Sequence, residues 1–141
     1  MHDVTIRRAT MNDAAAIASL AGELGYPASE DEMRPRLASQ LERVLVAIHD
    51  DRVVAWIQLA FVETLESGTF AEITGLVVAD ALRGRCIGAH LVDAAESWAR
   101  ERGVARIRVR SNIIRAETHC FYERRGYAIT KTQHVFDKRL A

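Results

Sequence analysis

The chain has 141 residues, 49% of them hydrophobic, and its 19 basic and 19 acidic side chains cancel to a net charge of zero. That length suits one domain with enough core to fold without disulfide or metal staples. The charge balance excludes a nucleic-acid binder working by bulk electrostatics, and the apolar content excludes a disordered chain.

The elements read in chain order as follows. Val4 to Arg8 alternates as a strand does, and Thr10-Met11-Asn12-Asp13 resembles a capping box. Ile17, Leu20, Ala21 and Leu24 then repeat at helical spacing up to a stop at Gly25-Tyr26-Pro27. Ser29 with Glu32 is a second cap, ahead of Met33, Leu37 and Leu41, although Pro35 points to a later helix start. Val44 to Ile48 and Val53 to Val62 flank Asp50-Asp51 and predict a hairpin. Thr64 to Gly68 reads as a loop, and Ile73 to Ala79 as a strand in which Gly75 signals a bulge or a close backbone approach. A helix follows with Ile87, Leu91, Ala94, Ala95 and Trp98 as its apolar stripe, ending near Gly103. Val104 to Arg110 reads as a strand, Arg115 to Arg125 as a short helix closed by Gly126, and Tyr127 to Leu140 as one or two further strands. This order implies an α/β fold with a mixed sheet, in one domain over residues 1–141.

The most apolar stretch, Ala55 to Val62, is interrupted by Gln58 and falls far short of the roughly 18–20 residues that cross a membrane. No apolar targeting segment follows Met1. Cys86 and Cys120 have no CxxC spacing, so two free thiols in a reducing cytoplasm are expected. The five histidines are scattered, and no metal is expected.

Chemistry concentrates in Leu82-Arg83-Gly84-Arg85-Cys86-Ile87-Gly88-Ala89. A short glycine-bearing loop that opens a helix gathers free N–H groups at the positive end of the helix dipole, which suits a pyrophosphate. Arg83 and Arg85 add cationic donors. The run matches neither the P-loop nor the dinucleotide-binding glycine pattern. By itself it also fits a plain strand-to-helix turn with surface arginines.

Leu76-Val77-Val78, followed after four residues by Arg83-Gly84-Arg85-Cys86-Ile87-Gly88, resembles the acetyl-coenzyme A signature of the GNAT N-acetyltransferase superfamily. Downstream, Ser111-Asn112, Arg115 and His119-Cys120-Phe121-Tyr122-Glu123 with Gly126-Tyr127 resemble the second signature of the same family. The resemblance spans essentially the whole chain. It implies a GNAT-like domain whose mostly antiparallel sheet is flanked by helices and splays between the strands carrying Leu76–Val78 and Val104–Val109. It also implies cofactor contacts from Leu76, Val77, Val78, Arg83, Gly84, Arg85, Cys86, Ile87, Gly88 and Ala89, with Asn112 on the pantetheine arm. Cys86 stands where the signature has glycine, and at negative φ its amide still donates. A nucleophilic Cys86 is the sharper alternative, but no base is placed in sequence to activate it.

The family's histone acetyltransferases carry a Phe-Ala-Glu-Ile run where this chain has Phe70-Ala71-Glu72-Ile73, which implies that Glu72 is the general base. An alkylammonium, with a pKa near 10.4, must lose a proton before it attacks a thioester. The resemblance gives Tyr122 the general-acid role toward the leaving thiolate and leaves Phe121 to the core. Tyr122 as a core aromatic and Glu72 as a surface glutamate are the bland readings. Arg106, Arg108 and Arg110 share one strand face, which meets solvent, acidic groups or the second subunit of a homodimer.

The expected activity is acetyl transfer from acetyl-coenzyme A to a primary amine by direct attack. The amine belongs to a small molecule before a lysine or protein N-terminus, and neither nucleic acid nor membrane is a partner. The alternative is a non-catalytic acyl-coenzyme A-binding or regulatory module. Glu23, Glu30, Asp31, Glu32, Glu63 and Glu66 form a local acidic excess that hints at a cationic acceptor, whereas an aminoalkylphosphonate would favour arginines.

Overall fold

The alternating segment Thr5–Arg8 forms strand β1 in the computed structural model, which describes residues 4–111 and 116–141. The chain divides into two compact units, Met1–Val109 and Arg110–Ala141. In the first, β1 is followed by helices α1 (Ala14–Leu24) and α2 (Glu30–Gln40), then strands β2 (Val44–His49), β3 (Arg52–Thr64) and β4 (Gly68–Val78). Helix α3 (Ile87–Glu101) and strand β5 (Ile107–Val109) complete it. The strands form one open α/β sheet in the order β1-β2-β3-β4-β5, antiparallel except where β5 joins β4 in parallel.

The Thr10–Asp13 cap is built around a buried carboxylate. Asp13 Oδ2 accepts from the Thr10 N–H at 2.8 Å, while Arg7 Nη1 and Nη2 donate to its two oxygens at 2.8 and 3.0 Å. Hydrogen bonding from the Arg7 guanidinium holds the Asp13 carboxyl below the usual carboxylate range. Helix α1 ends in a Schellman turn at Gly25 (φ 102°), with the Tyr26 N–H reaching back to the Ala21 carbonyl at 3.0 Å.

Helix α2 starts at Glu30, ahead of Pro35 rather than after it. Ser29 Oγ accepts from the Glu32 N–H at 3.0 Å and Glu32 Oε1 accepts from the Ser29 N–H at 2.9 Å, which fixes the first turn. Pro35 removes one donor, but Asp31 and Pro35 are both exposed, so the freed carbonyl is on the solvent side of the helix.

The β2–β3 hairpin closes through Asp50 and Asp51, both left-handed at φ 51° and 61°, the twist a two-residue hairpin turn requires. Val44 and Val46 pack with Ile17 and Leu37 in a core cluster, with Trp56 packed against it. Helix α3 buries Ile87, Leu91, Val92, Ala95, Trp98 and Ala99, so Val92 and Ala99 join the expected stripe while Ala94 is half-buried. Phe61 of β3 meets Trp98 edge-on, with ring centroids 6.0 Å apart. No helix of the described residues is long and apolar enough to cross a membrane.

Strand β5 is shorter than the expected Val104–Arg110. The Val104 N–H still closes the end of α3 on the Ala99 carbonyl at 3.1 Å, beside left-handed Gly103, so the chain cannot yet be extended there. The second unit contains helix α4, Ala116–Arg124. Among its described residues the expected final strands over 127–140 do not form. Ile129, Val135, Phe136 and Leu140 are exposed, and no ladder pairs the segment that carries them.

Candidate active site

The site begins with an irregularity in β4. Gln58 pairs with Gly75 and Leu59 with Ile73, so Thr74 is an extra residue that bulges the strand. A Cβ on Gly75 would lie 2.8 Å from Cζ3 of Trp56, so the indole occupies the space a side chain needs. The bulge expected at Gly75 is present with Thr74 as its extra residue, and what approaches Gly75 closely is a side chain, not another backbone. The β4–β5 ladder covers Ala71 to Ile73, paired with Ile107 to Val109. β5 ends at Val109, opposite Ile73, so β4 runs on to Val78 with no β5 residue beside it. Val77 is buried on this free stretch, between half-buried Leu76 and Val78.

After Val78 the chain makes a 3-10 turn, Asp80–Leu82, passes through left-handed Gly84 (φ 83°) and enters α3 at Cys86. The His90 N–H bonds the Cys86 carbonyl at 3.0 Å as the first regular bond of the helix. The Ile87, Gly88 and Ala89 amides belong to the first turn, whose donors have no helical acceptor, and they sit at the positive end of a fifteen-residue helix dipole. This donor set fits a pyrophosphate. Cys86 has φ 66°, so the condition of a negative φ is not met. It adopts the left-handed conformation that glycine takes without steric cost, about 1 kcal/mol less favourable for a residue with a Cβ. Arg83 Nη2 is held 2.9 Å from Asp80 Oδ1, and Arg85 is exposed.

Glu72 lies directly beside Arg108 in the parallel register. Arg108 Nε and Nη2 both donate to Glu72 Oε1, at 3.1 and 2.7 Å. The carboxylate is only 16% exposed, so this pair is shielded from most solvent screening. The Arg106 and Arg108 guanidiniums lie 4.6 and 4.3 Å from the centroid of the Phe70 ring, which is fully buried. The arginine alternation was readable in the sequence. Its pairing with Glu72, 36 residues away, depends on register and was not.

In the second unit Tyr122 is buried in α4, with Phe121 half-buried beside it. Gly126 (φ 91°) ends that helix, and the Tyr127 N–H returns to the Tyr122 carbonyl at 3.0 Å. The Tyr127 ring meets the Tyr122 ring edge-on at 5.5 Å, the contact expected across a Schellman turn. The Gly-Tyr that closes the second signature therefore fixes the position of Tyr122. Asn112 lies outside the described residues.

Three of the six acids that hinted at a cationic acceptor have partners within the chain. Glu32 completes the α2 cap, Glu30 pairs with Arg34 at 3.4 Å, and Glu23 Oε1 accepts from the Asp80 N–H at 3.0 Å. Sequence reasoning had no signal for this last bond, which spans 57 residues.

Comparison with known proteins agrees with this geometry. The model of the acetyltransferase (GNAT) family matches residues 12–127. An aminoalkylphosphonate N-acetyltransferase of Salmonella typhimurium is 32% identical over 128 residues, 86% of this chain and 83% of that protein. The solved structure of a transcriptional regulator from Bacillus halodurans superposes with a TM-score of 0.87 at 25% identity, covering 96% of this chain and all of the other. An aminoglycoside N-acetyltransferase in complex with CoA matches in fold with a TM-score of 0.85 at 15% identity, over 96% of this chain and 95% of that one. The chain belongs to the GNAT acetyltransferase family, and its enzymatic class is N-acetyl transfer.

Proposed function

We propose that residues 1–141 act as one domain that transfers an acetyl group from acetyl-coenzyme A to the primary amine of a small molecule in the cytoplasm. The observation that carries this reading is the end of β4, which runs past the last β5 partner straight into a loop and helix start rich in free amides. The pyrophosphate would rest on residues 83–89 and the thioester would lie along Leu76–Val78, its carbonyl polarised by the amide near Val77. Asn112 would bind the pantetheine arm.

Glu72 accepts the ammonium proton, directly or through water, and the amine nitrogen attacks the thioester carbon. As the carbon–sulfur bond breaks, Tyr122 gives its phenolic proton to the thiolate. Arg108 orients the Glu72 carboxylate through Oε1.

The relatives' substrates differ in charge, an anionic phosphonate in one and a cationic aminoglycoside in the other. Two observations favour an acceptor with an acidic group. Three of the six acids that hinted at a cationic acceptor are already engaged within the chain, and Arg106 stacks exposed on Phe70, next to the Glu72–Arg108 pair. The test is thiol release from acetyl-coenzyme A with aminoalkylphosphonates, amino acids, diamines and aminoglycosides, with acetylated products identified by mass. Turnover with an anionic amine supports the reading. Turnover with cationic amines alone overturns the acceptor class, and cofactor binding without turnover on any amine would favour a binding module.

A further inference from the structure

The loop that meets the pyrophosphate is held in an unusual way. None of the residues from Asp80 to Cys86 is buried, so hydrophobic packing does little to fix it. Yet two of them, Gly84 and Cys86, hold left-handed conformations, and Cys86 does so with a Cβ. The conformation rests on polar bonds. Within the turn, the Leu82 N–H bonds the Ala79 carbonyl at 2.9 Å and Arg83 pairs with Asp80. Two bonds reach it from elsewhere in the sheet unit: the Ala79 N–H to the Val54 carbonyl at 2.8 Å, and the Asp80 N–H to Glu23 Oε1 at 3.0 Å.

Val54 contributes a backbone atom, which every residue supplies. Glu23 contributes a side chain, so its anchor depends on the residue type at that position. Its location argues the same way. Glu23 stands in the last turn of α1, where its negative charge faces the negative end of the helix dipole, a place that helix stability assigns to a basic residue. The Schellman turn at Gly25 fixes that turn of helix, and with it the carboxylate.

We propose that Glu23 is a positioning residue for the cofactor loop. Its carboxylate caps the Asp80 amide, holds the 80–86 segment in its binding-competent form before acetyl-coenzyme A arrives, and so raises affinity for the cofactor. The inference rests on reading this loop as the cofactor site. A protein whose competent form is partly populated binds more weakly by that fraction, so removing the bond lowers affinity without removing any contact to ligand.

The experiment compares the parent, Glu23→Ala and Glu23→Gln by calorimetry with coenzyme A, by thermal melting and by steady-state kinetics. Glu23→Ala is expected to weaken the Kd about three- to tenfold, the range of one hydrogen bond, and to raise the KM for acetyl-coenzyme A alike. The kcat, the KM for the amine and the Tm should stay near the parent values, which a merely structural role would not allow. Glu23→Gln keeps an oxygen acceptor and should restore affinity. Glu23→Ala with the parent Kd overturns the inference, as does a Glu23→Gln as weak as Glu23→Ala. A parent that binds no coenzyme A overturns the site reading itself, and this inference with it.

Discussion

From Ala71 to Ile73, strand β4 is held on both edges, by β3 and by β5, with a filled core behind it. From Asp80 to Cys86 the same chain has no buried residue and is tied down by a few polar bonds. The chemistry divides along the same line. On the ladder, in the proposed reading, a side chain, Glu72, would carry the function while the backbone is occupied with pairing. In the loop, on the same reading, the amides would carry it, and side chains would matter by what they allow the backbone to do. The ladder should therefore respond to a change of functional group, and the loop to a change of conformation or charge.

The largest expected effect lies at the loop–helix junction. Gly88→Asp sets a carboxylate against the phosphates at the start of α3, so calorimetric binding of coenzyme A should vanish in a protein with the parent circular dichroism. Unchanged affinity would remove the pyrophosphate site. On the side-chain half of the comparison, Tyr122→Phe and Glu72→Gln each remove a proposed proton-transfer group with little change of shape. Each should lower kcat by about 10²–10⁴-fold with cofactor Kd within a factor of two. Glu72→Gln should regain activity at high pH, where the amine loses its proton unaided. A fall of less than about threefold, with chemistry shown to be rate-limiting, would return either residue to a structural role.

The third effect sharpens the contrast from the buried side. The folded-state pKa of Asp13 is held below its unfolded value, near 3.9, chiefly by hydrogen bonds from Arg7. Its contribution to stability is therefore complete above about pH 4 and is lost as pH falls further through the folded value. Melting curves should show the Tm falling in that window, and Asp13→Asn should flatten the acid limb while costing about 1–3 kcal/mol at neutral pH. An acid limb as steep in the variant as in the parent would clear Asp13 of the effect. The smallest effect returns to the loop. Cys86→Gly relieves about 1 kcal/mol of left-handed strain, partly offset by the entropy of glycine in the unfolded chain, so the Tm should rise by a degree or two. A lower Tm would mean that the cysteine side chain contributes more than its backbone conformation costs.

What the sequence made legible is what depends on neighbours in sequence. The Ser29–Glu32 cap, the Asp50-Asp51 hairpin, the irregularity at Gly75 and the helix closed by Gly126 all follow from local chemistry, and each is present. The loop's turn into a helix start was legible in the same way, and its reading as an anion site stands as a proposal. The features that escaped are settled elsewhere. Pro35 inside α2 is tolerated because that face of the helix is wet. The Glu72–Arg108 pair needs the parallel register, and the Glu23–Asp80 bond needs α1 docked against the sheet. The apolar residues of 127–140 read as strands, but periodicity states which residues suit an edge and not whether an edge is offered.

The contact between Trp56 and Gly75 has a consequence for inheritance. With the indole 2.8 Å from the place a Cβ would occupy, any single change at position 75 meets a rigid ring, whereas a smaller residue at 56 would first make room. The order of substitution therefore matters. A lineage reaches a side chain at 75 by passing first through a reduced residue at 56, and a library that randomises position 75 alone should return mostly glycine. The two positions drift as a pair, next to the bulge where β4 passes its last β5 partner, so the shape of this part of the sheet is shielded from single mutational steps.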